Sequence, residues 1–357
     1  MPSNLLTIRK DNIRNISAQN RDLPPLADGE ALLAIEGFAL TANNVTYAAT
    51  GTVLKYWDFF PCEGEGQGIV PVWGFATVTE SRAPSLAKGS RLYGFLPAAA
   101  QLIIRPETRG TSAVVDTAAH RAGLSPVYNT YMRAEPGSID DDARRAIFNP
   151  LIATSYLLYD FLDDNGWFGA EQVIIGSASS KTGLGLCHFL AQARPDGPKV
   201  IGLTAARNRD FVASLGTCDQ VVTYDQIDAG IAKRPSVFVD MAGSADIRAR
   251  LHNHLGNHMR HSAAVGTSHW DQFRPTGDLP GARPTFFFAP AQIEKRRNDW
   301  GKGEVEAKLD AAWHAVATSS RDWLTIEVAN GLDAALPIWG DIADGKVPPA
   351  IGHYVRV

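Results

Sequence analysis

Val173-Ile174-Ile175-Gly176-Ser177-Ala178-Ser179-Ser180-Lys181-Thr182-Gly183-Leu184-Gly185 is the stretch whose reading decides the fold. Three β-branched apolar residues, a run of small ones and a helical start describe a strand, a tight turn and a helix. Such a turn leaves backbone N–H groups pointing outward, and the positive end of the helix dipole reinforces them. It is therefore suited to an anion such as a diphosphate. The strict Gly-x-Gly-x-x-Gly spacing is absent, and a tight turn in any α/β protein remains the bland alternative. A nucleoside-triphosphate P-loop is a third reading, drawing on Ser180-Lys181-Thr182 and on Val237-Phe238-Val239-Asp240 as a magnesium strand. It needs glycine where Ser180 stands, and Gly176 lies one residue too close.

Downstream, apolar strands are expected at 199–204, 220–224, 237–240, 262–266 and 285–288. Helices are expected at 183–193, at 207–215 and through His254. Apolar strands alternating with helices imply a parallel sheet covered on both faces. Upstream, as far as Gly110, short runs such as Ala31-Leu32-Leu33-Ala34-Ile35 and Arg91-Leu92-Tyr93-Gly94-Phe95-Leu96 are broken by turn residues, which describes a β-rich unit. Residues 111–137 show no regular pattern and read as loop. Asp140-Asp141-Asp142 reads as a helix start, with acids at the positive end of the dipole. A helix over 152–162 stops near Asn165-Gly166. The domains expected are a β-rich one over 1–145, to which 310–357 returns, and an α/β one over 146–309.

The end of the second parallel strand carries the next signal. A dinucleotide domain selective for NAD places Asp or Glu there to hold the ribose hydroxyls. Here the chain runs Leu203-Thr204-Ala205-Ala206-Arg207-Asn208-Arg209, with no acid before Asp210. Thr204 and Asn208 can donate to a 2′-phosphate, and Arg207 or Arg209 can pair with it. A solvated basic helix start is the plain alternative.

Whole-chain properties narrow the class. A net charge of −4 offers no footprint for nucleic acid or an anionic membrane. Met1 to Lys10 has no charged-then-apolar leader pattern, and no apolar stretch has the length of a membrane span. Cys62, Cys187 and Cys218 are odd in number and widely spaced, with no Cys-x-x-Cys pair, which fits a reducing cytoplasm. His252, His254, His258 and His261 invite a metal reading, but no acid stands beside them, and a solvated helix accounts for them better.

A β-rich first part, a dinucleotide-type second part and a returning tail resemble the medium-chain dehydrogenase/reductase superfamily, over nearly the whole chain. Asn43-Asn44-Val45-Thr46-Tyr47-Ala48-Ala49-Thr50-Gly51 resembles its early active-site segment, and Pro71-Val72-Trp73-Gly74-Phe75-Ala76 its Pro-x-x-Gly-His-Glu element. Asn149-Pro150-Leu151-Ile152-Ala153-Thr154-Ser155 resembles its Thr-Ala helix start. Asp240-Met241-Ala242-Gly243 and Val265-Gly266-Thr267 resemble its nicotinamide-side strands. Tyr128-Asn129-Thr130-Tyr131, the 177–182 turn and Thr204-Ala205-Ala206-Arg207-Asn208 are similar to an uncharacterised bacterial branch carrying a domain-of-unknown-function label.

The resemblance implies an α/β protein with a β-rich GroES-like N-terminal domain and a Rossmann domain, a doubly wound parallel sheet. It implies NADP(H) held by Thr154, Ser177, Ser179, Ser180, Lys181, Thr182, Gly183, Thr204, Arg207, Asn208, Tyr224, Ala242, Gly243, Gly266 and Thr267. Phe75-Ala76 stands where zinc enzymes of the superfamily have His-Glu, and the cysteines of a structural zinc lobe are missing, so no metal is expected. Hydrogen-bond donors must then polarise the substrate, and Tyr47 is the first candidate, with Asn44, Tyr128 and Tyr131 behind it. The expected activity is NADPH-dependent addition of hydride to an activated C=C or C=O group, of the enone, quinone or enoyl type. Two alternatives stand beside it: a lyase or isomerase using transient hydride transfer, and a catalytically silent cofactor-binding regulatory or structural protein. Thr285-Phe286-Phe287-Phe288 reads as an apolar edge strand, which together with the resemblance implies a homodimer paired along that edge.

Overall fold

A strand with no polar alternation must be covered on both faces. Such strands build the second of two compact units in the computed structural model, which describes residues 4–266, 278–301 and 303–357. The first unit comprises Met1–Ile147, Thr325–Val347 and Ile351–Val357, and the second Phe148–Leu324 and Pro348–Ala350.

In the second unit six parallel strands lie in the order Gln220–Thr223, Lys199–Thr204, Gln172–Gly176, Ser236–Asp240, Met259–Ala264, Pro284–Phe286. Period-two alternation divides their side chains between two cores. Val173, Ile175, Val237 and Val239 pack on one face with Leu186 and Val212. Ile174, Phe238 and Ile201 pack on the other with Leu251 and Leu255. Val173, Ile174 and Ile175 have no exposed surface, and each such burial contributes roughly 1.5–3 kcal/mol. The chain winds outward in one direction from Gln172–Gly176 and then in the other from Ser236–Asp240. The carboxyl ends of these two strands therefore flank the topological switch point, where doubly wound sheets bind ligands.

The helix after the first strand, Lys181–Gln192, begins two residues before the expected 183, because Ser180 caps it. The helix around 152–162 is much longer than expected, running Ile139–Asp164 through Pro150, with the predicted acids in its first turn. Pro284–Phe286 ends before 288, because Phe288 already caps the helix Ala289–Trp300.

In the first unit a nine-stranded sheet runs Thr325–Asn330, Ile351–Arg356, Ala31–Leu40, Pro71–Ser81, Arg91–Pro97, Thr130–Arg133, Ala113–Asp116, Pro106–Arg109, with Gln101–Ile104 also paired to Ala31–Leu40. The tail strand Ile351–Arg356 pairs antiparallel with Ala31–Leu40. Residues 111–137, expected to be loop, contain the strands Ala113–Asp116 and Thr130–Arg133 and the helical turn Pro126–Asn129. Four residues are too few to show a period in sequence, and these strands are defined by their partners across the sheet. Among the described residues no helix is long and apolar enough to cross a membrane.

Candidate functional site

Close backbone packing shapes the turn after Gln172–Gly176. A Cβ at Gly176 would come within 2.9 Å of Phe238, and one at Gly183 within 2.7 Å of the Ser177 carbonyl. Ser177 adopts the left-handed region, at φ 54°. The Ala178 amide donates to the Leu203 carbonyl at 3.0 Å and the Ser180 amide to the Ser177 carbonyl at 2.9 Å. The Ser180 hydroxyl accepts from the Gly183 amide at 3.1 Å. Gly183 thus has no room for a side chain, and its bareness lets the helix start press against the Ser177–Ala178 backbone.

Behind the turn, Ser155 donates to the Thr182 carbonyl at 2.7 Å. A Cβ at Gly185 would meet Ile152 at 2.5 Å and the Ser155 hydroxyl at 2.7 Å, so the two helices are pressed together there. Thr154 instead turns its hydroxyl back to the Pro150 carbonyl, at 3.4 Å. The half-buried Lys181 ammonium donates to the Pro349 carbonyl at 3.0 Å, and burial lowers its pKa to about 8.

The neighbouring strand ends add a polar cluster. The Ser179 hydroxyl accepts from Thr204 at 3.0 Å and from the Asn208 amide at 3.1 Å. Thr204 has no exposed surface, so its hydroxyl positions Ser179 instead of presenting itself to a ligand, contrary to the expectation from sequence. The Tyr224 phenol hydrogen-bonds Ser177, and burial raises its pKa, with the exposed Arg207 acting electrostatically in the opposite direction. Asp210, the first acid after the strand, turns 97% of its side-chain surface to solvent and pairs with Arg209 at 3.4 Å.

Across the switch point Asp240 accepts from the Ala242 and Gly243 amides at 3.1 and 2.8 Å and faces Arg248 at 3.2 Å. Burial raises the Asp240 pKa. Ala242 and Gly243 therefore spend their amides inside the protein, and Asp240 is not free to serve as the magnesium carboxylate of a P-loop. A Cβ at Gly266 would lie 2.2 Å from the Met241 carbonyl, so only glycine fits. Thr267 lies outside the described residues.

Two of the tyrosines singled out from sequence, Tyr47 and Tyr128, come together with Tyr56 in the first unit. The Tyr47 ring lies 4.6 Å from Tyr56, 5.4 Å from Phe95 and 6.4 Å from Tyr128. Its hydroxyl accepts from the Trp73 indole at 3.0 Å and also from Asn43. Tyr56 and Tyr128 join hydroxyls at 3.0 Å. Tyr47 is 4% exposed, whereas Tyr128 and Trp73 are half-buried and reach the surface. Burial raises the pKa of Tyr47, Tyr56 and Tyr128.

Two weaker candidates are engaged by the fold. The Asn44 amide accepts from the Thr41 backbone at 2.7 Å and donates to the Pro71 carbonyl at 2.9 Å, closing a capping box on the helix Ala42–Ala49. Tyr131, fully buried, donates to the Phe95 carbonyl at 3.0 Å. Sequence reasoning missed the indole–phenol bond and the buried Arg121–Asp116 ion pair at 3.0 Å. Nothing in local spacing announces either, although both join residue types that need partners when buried.

At the positions where zinc enzymes carry ligands, Phe75 is buried under the Arg91 guanidinium, 4.3 Å from its ring, and Ala76 is fully buried. Among the described residues no group of three side chains could hold a metal ion. The expectation of a solvated histidine helix needs correcting. His252 is fully buried, between the Pro280 carbonyl at 2.9 Å and the Ser262 hydroxyl at 3.1 Å. His254 meets the Ile231 carbonyl at 2.7 Å.

Three solved structures resemble nearly the whole chain. They are CurA from Vibrio vulnificus in complex with NADPH, at TM-score 0.64 and 11% identity over 99% of both chains; Escherichia coli quinone oxidoreductase complexed with NADPH, at 0.62 and 12% over 99% of this chain and 100% of that one; and the yhdH oxidoreductase from Salmonella enterica in complex with NADP, at 0.54 and 15% over 99% of both. At such identities the likeness is one of fold: a GroES-like unit and a Rossmann unit, as in medium-chain dehydrogenases/reductases. No curated protein matches the chain in sequence. Residues 38–348, most of the chain, match the model of a family described as "Protein of unknown function (DUF2855)", and the chain belongs to that family.

Proposed function

We propose that the chain is an NADPH-dependent, zinc-independent reductase adding hydride to an activated C=C or C=O group. The observation that carries this reading is the Ser179–Thr204–Asn208 cluster, built where an NAD-selective site needs a carboxylate. The likeness in fold to structures holding NADPH supports it. The 177–183 turn, with Lys181, would hold the diphosphate. Ser179, Asn208 and Arg207 would hold the 2′-phosphate, with Tyr224 beside them, and Thr154, Gly266 and Thr267 complete the candidate set. When bound, the nicotinamide supplies the hydride.

The tyrosine wall provides the polar half of the chemistry. The phenols are protonated at neutral pH, as any ordinary tyrosine is, and burial raises their pKa further, so they act as O–H donors to a developing enolate or oxyanion. Tyr128 has the exposure to meet a substrate. When Tyr56 donates within their pair, the Tyr128 O–H is left to donate outward. Tyr47 orients Trp73 from behind. The exposed Phe286, at the end of the edge strand Pro284–Phe286, and Phe288 just beyond it make an apolar edge suited to pairing with a second copy of the chain.

Titration of NADPH and NADH by nicotinamide fluorescence tests the cofactor, and turnover of enones, quinones and ketones tests the reaction. A charge-assisted phosphate contact of roughly 1.5–3 kcal/mol predicts at least about tenfold tighter NADPH binding. Equal affinities would overturn the phosphate assignment. Tight binding without turnover would favour the silent regulatory protein, and product formed without net cofactor oxidation the lyase or isomerase.

A further inference from the structure

The second unit contains a chemical group that the proposed reduction does not use. Cys187 and Cys218 are 31 residues apart in sequence, yet their sulfurs share a hydrogen bond at 3.6 Å. Cys187 lies on the buried face of Lys181–Gln192, packed among Leu186, Val200 and Val212. Cys218 is half-buried, in the loop between the helix Arg209–Ser214 and the strand Gln220–Thr223. The bare Gly202 makes room for it, since a Cβ there would lie 2.8 Å from the Cys218 sulfur.

Arg194 organises the loop. Its guanidinium donates to the Gly216 and Thr217 carbonyls at 3.4 and 2.9 Å and pairs with Asp219 at 3.2 Å. The Thr217 hydroxyl is buried beside the Cys218 sulfur. The Cys187 thiol, Thr217 and Arg194 outweigh burial and Asp219, so Cys218 ionises more readily than an ordinary thiol. Cys187, through its hydrogen bond to the Cys218 sulfur and its deeper burial in the core, holds its proton more tightly. A half-buried thiol that ionises more readily, beside a deeper one that holds its proton, has the polarity of a reactive and a resolving cysteine.

We infer that Cys187 and Cys218 are an oxidisable dithiol, closed to an intramolecular disulfide by a hydroperoxide. With hydrogen peroxide, the Cys218 thiolate attacks one oxygen, the O–O bond breaks, and hydroxide leaves a sulfenic acid. The Cys187 sulfur then attacks the Cys218 sulfur. The S–S bond forms, the S–O bond breaks, and the departing hydroxide takes the Cys187 proton as water. Overall two thiols and one peroxide give one disulfide and two waters. The sulfurs must approach by roughly 1.5 Å to reach bonding distance, and the loop has a glycine, Gly216 at φ 66°, at which to turn.

The test is independent of cofactor and substrate, and Cys62 in the first unit serves as internal reference. The full-length protein is pulsed with hydrogen peroxide, capped with N-ethylmaleimide and mapped by mass spectrometry without reduction. We expect a Cys187–Cys218 cross-linked peptide, with Cys218 losing its thiol at least about tenfold faster than Cys62. Cys187→Ser should abolish the cross-link and leave a dimedone-reactive Cys218. Cys187→Ala repeats that arm without a buried hydroxyl. Full capping of both cysteines, oxidation of Cys62 first, or a cross-link only between chains would overturn the inference.

Discussion

At the end of Gln172–Gly176 the polar side chains bond one another. Ser179 gathers Thr204 and Asn208, Ser180 caps its own helix, and Tyr224 reaches Ser177. In the β-rich unit the polar atoms are outnumbered by aromatic faces. Each phenol of the Tyr47–Tyr56–Tyr128 group bonds an indole or another phenol, amid Phe59 and Phe95. The first region is organised by backbone geometry, in which glycine and small residues let strand, turn and helix pack closely. The second is organised by side-chain packing, whose burial raises the pKa of the phenols further. An anion site needs donors at fixed positions, whereas a donor to a developing charge needs low polarity around it, so the two regions suit different steps.

The sharpest break in this comparison lies inside the aromatic wall. Tyr128→Phe should lower kcat about 10²–10³-fold, the usual loss for one oxyanion donor, with cofactor affinity unchanged. Tyr47→Phe should cost about 1 kcal/mol in a melting curve, because the Trp73 indole loses its acceptor, and little activity. The opposite pattern would make Tyr47 the donor and Tyr128 the support.

A smaller effect tests the polar cluster. Asn208→Asp puts a carboxylate beside Ser179 and should abolish the roughly tenfold or greater preference for NADPH. Unchanged NADPH affinity, measured by fluorescence titration, would remove Asn208 from the phosphate pocket.

The smallest effect concerns charge at the turn. Lys181 has its pKa lowered from 10.5 to about 8, so its ammonium is present below that pH and lost above it. An anionic ligand prefers the charged form, so NADPH affinity should fall by roughly two- to fivefold as pH rises through about 8. Lys181→Met should flatten that profile. Without ligand, the unfolded chain binds more protons than the native one between about pH 8 and 10.5, so this lysine makes stability rise with pH across that window. A variant that keeps the full pH profile would place the titrating group elsewhere.

What could be read from sequence follows from how local each signal is. The parallel strands announce themselves because double-sided burial demands continuous apolar runs such as Val173-Ile174-Ile175. The strands Ala113–Asp116 and Thr130–Arg133 do not, since four residues carry no period and their pairing partners are each other and Pro106–Arg109 or Arg91–Pro97. Thr204, Arg207 and Asn208 were recognisable as a group because they follow one another at the end of a single strand, whereas Ser179, read as part of the turn, joins Thr204 and Asn208 only through the fold. That Thr204 would be buried behind Ser179 depended on side-chain packing. His252 read as part of a solvated face, yet it is fully buried with both ring nitrogens engaged, because its helix turns that side toward Ser262 and Pro280.

By itself, the sequence determined the fold class, the tight turn after Val173-Ile174-Ile175 and the absence of a carboxylate after Thr204, because each depends on residues close together in the chain. Only the tertiary structure decided which hydroxyl is presented and which one supports it, which tyrosine reaches the surface, and that Cys187 and Cys218 meet across 31 residues. Those outcomes depend on contacts between distant segments, whose geometry is fixed only when the sheet and its covering helices have packed.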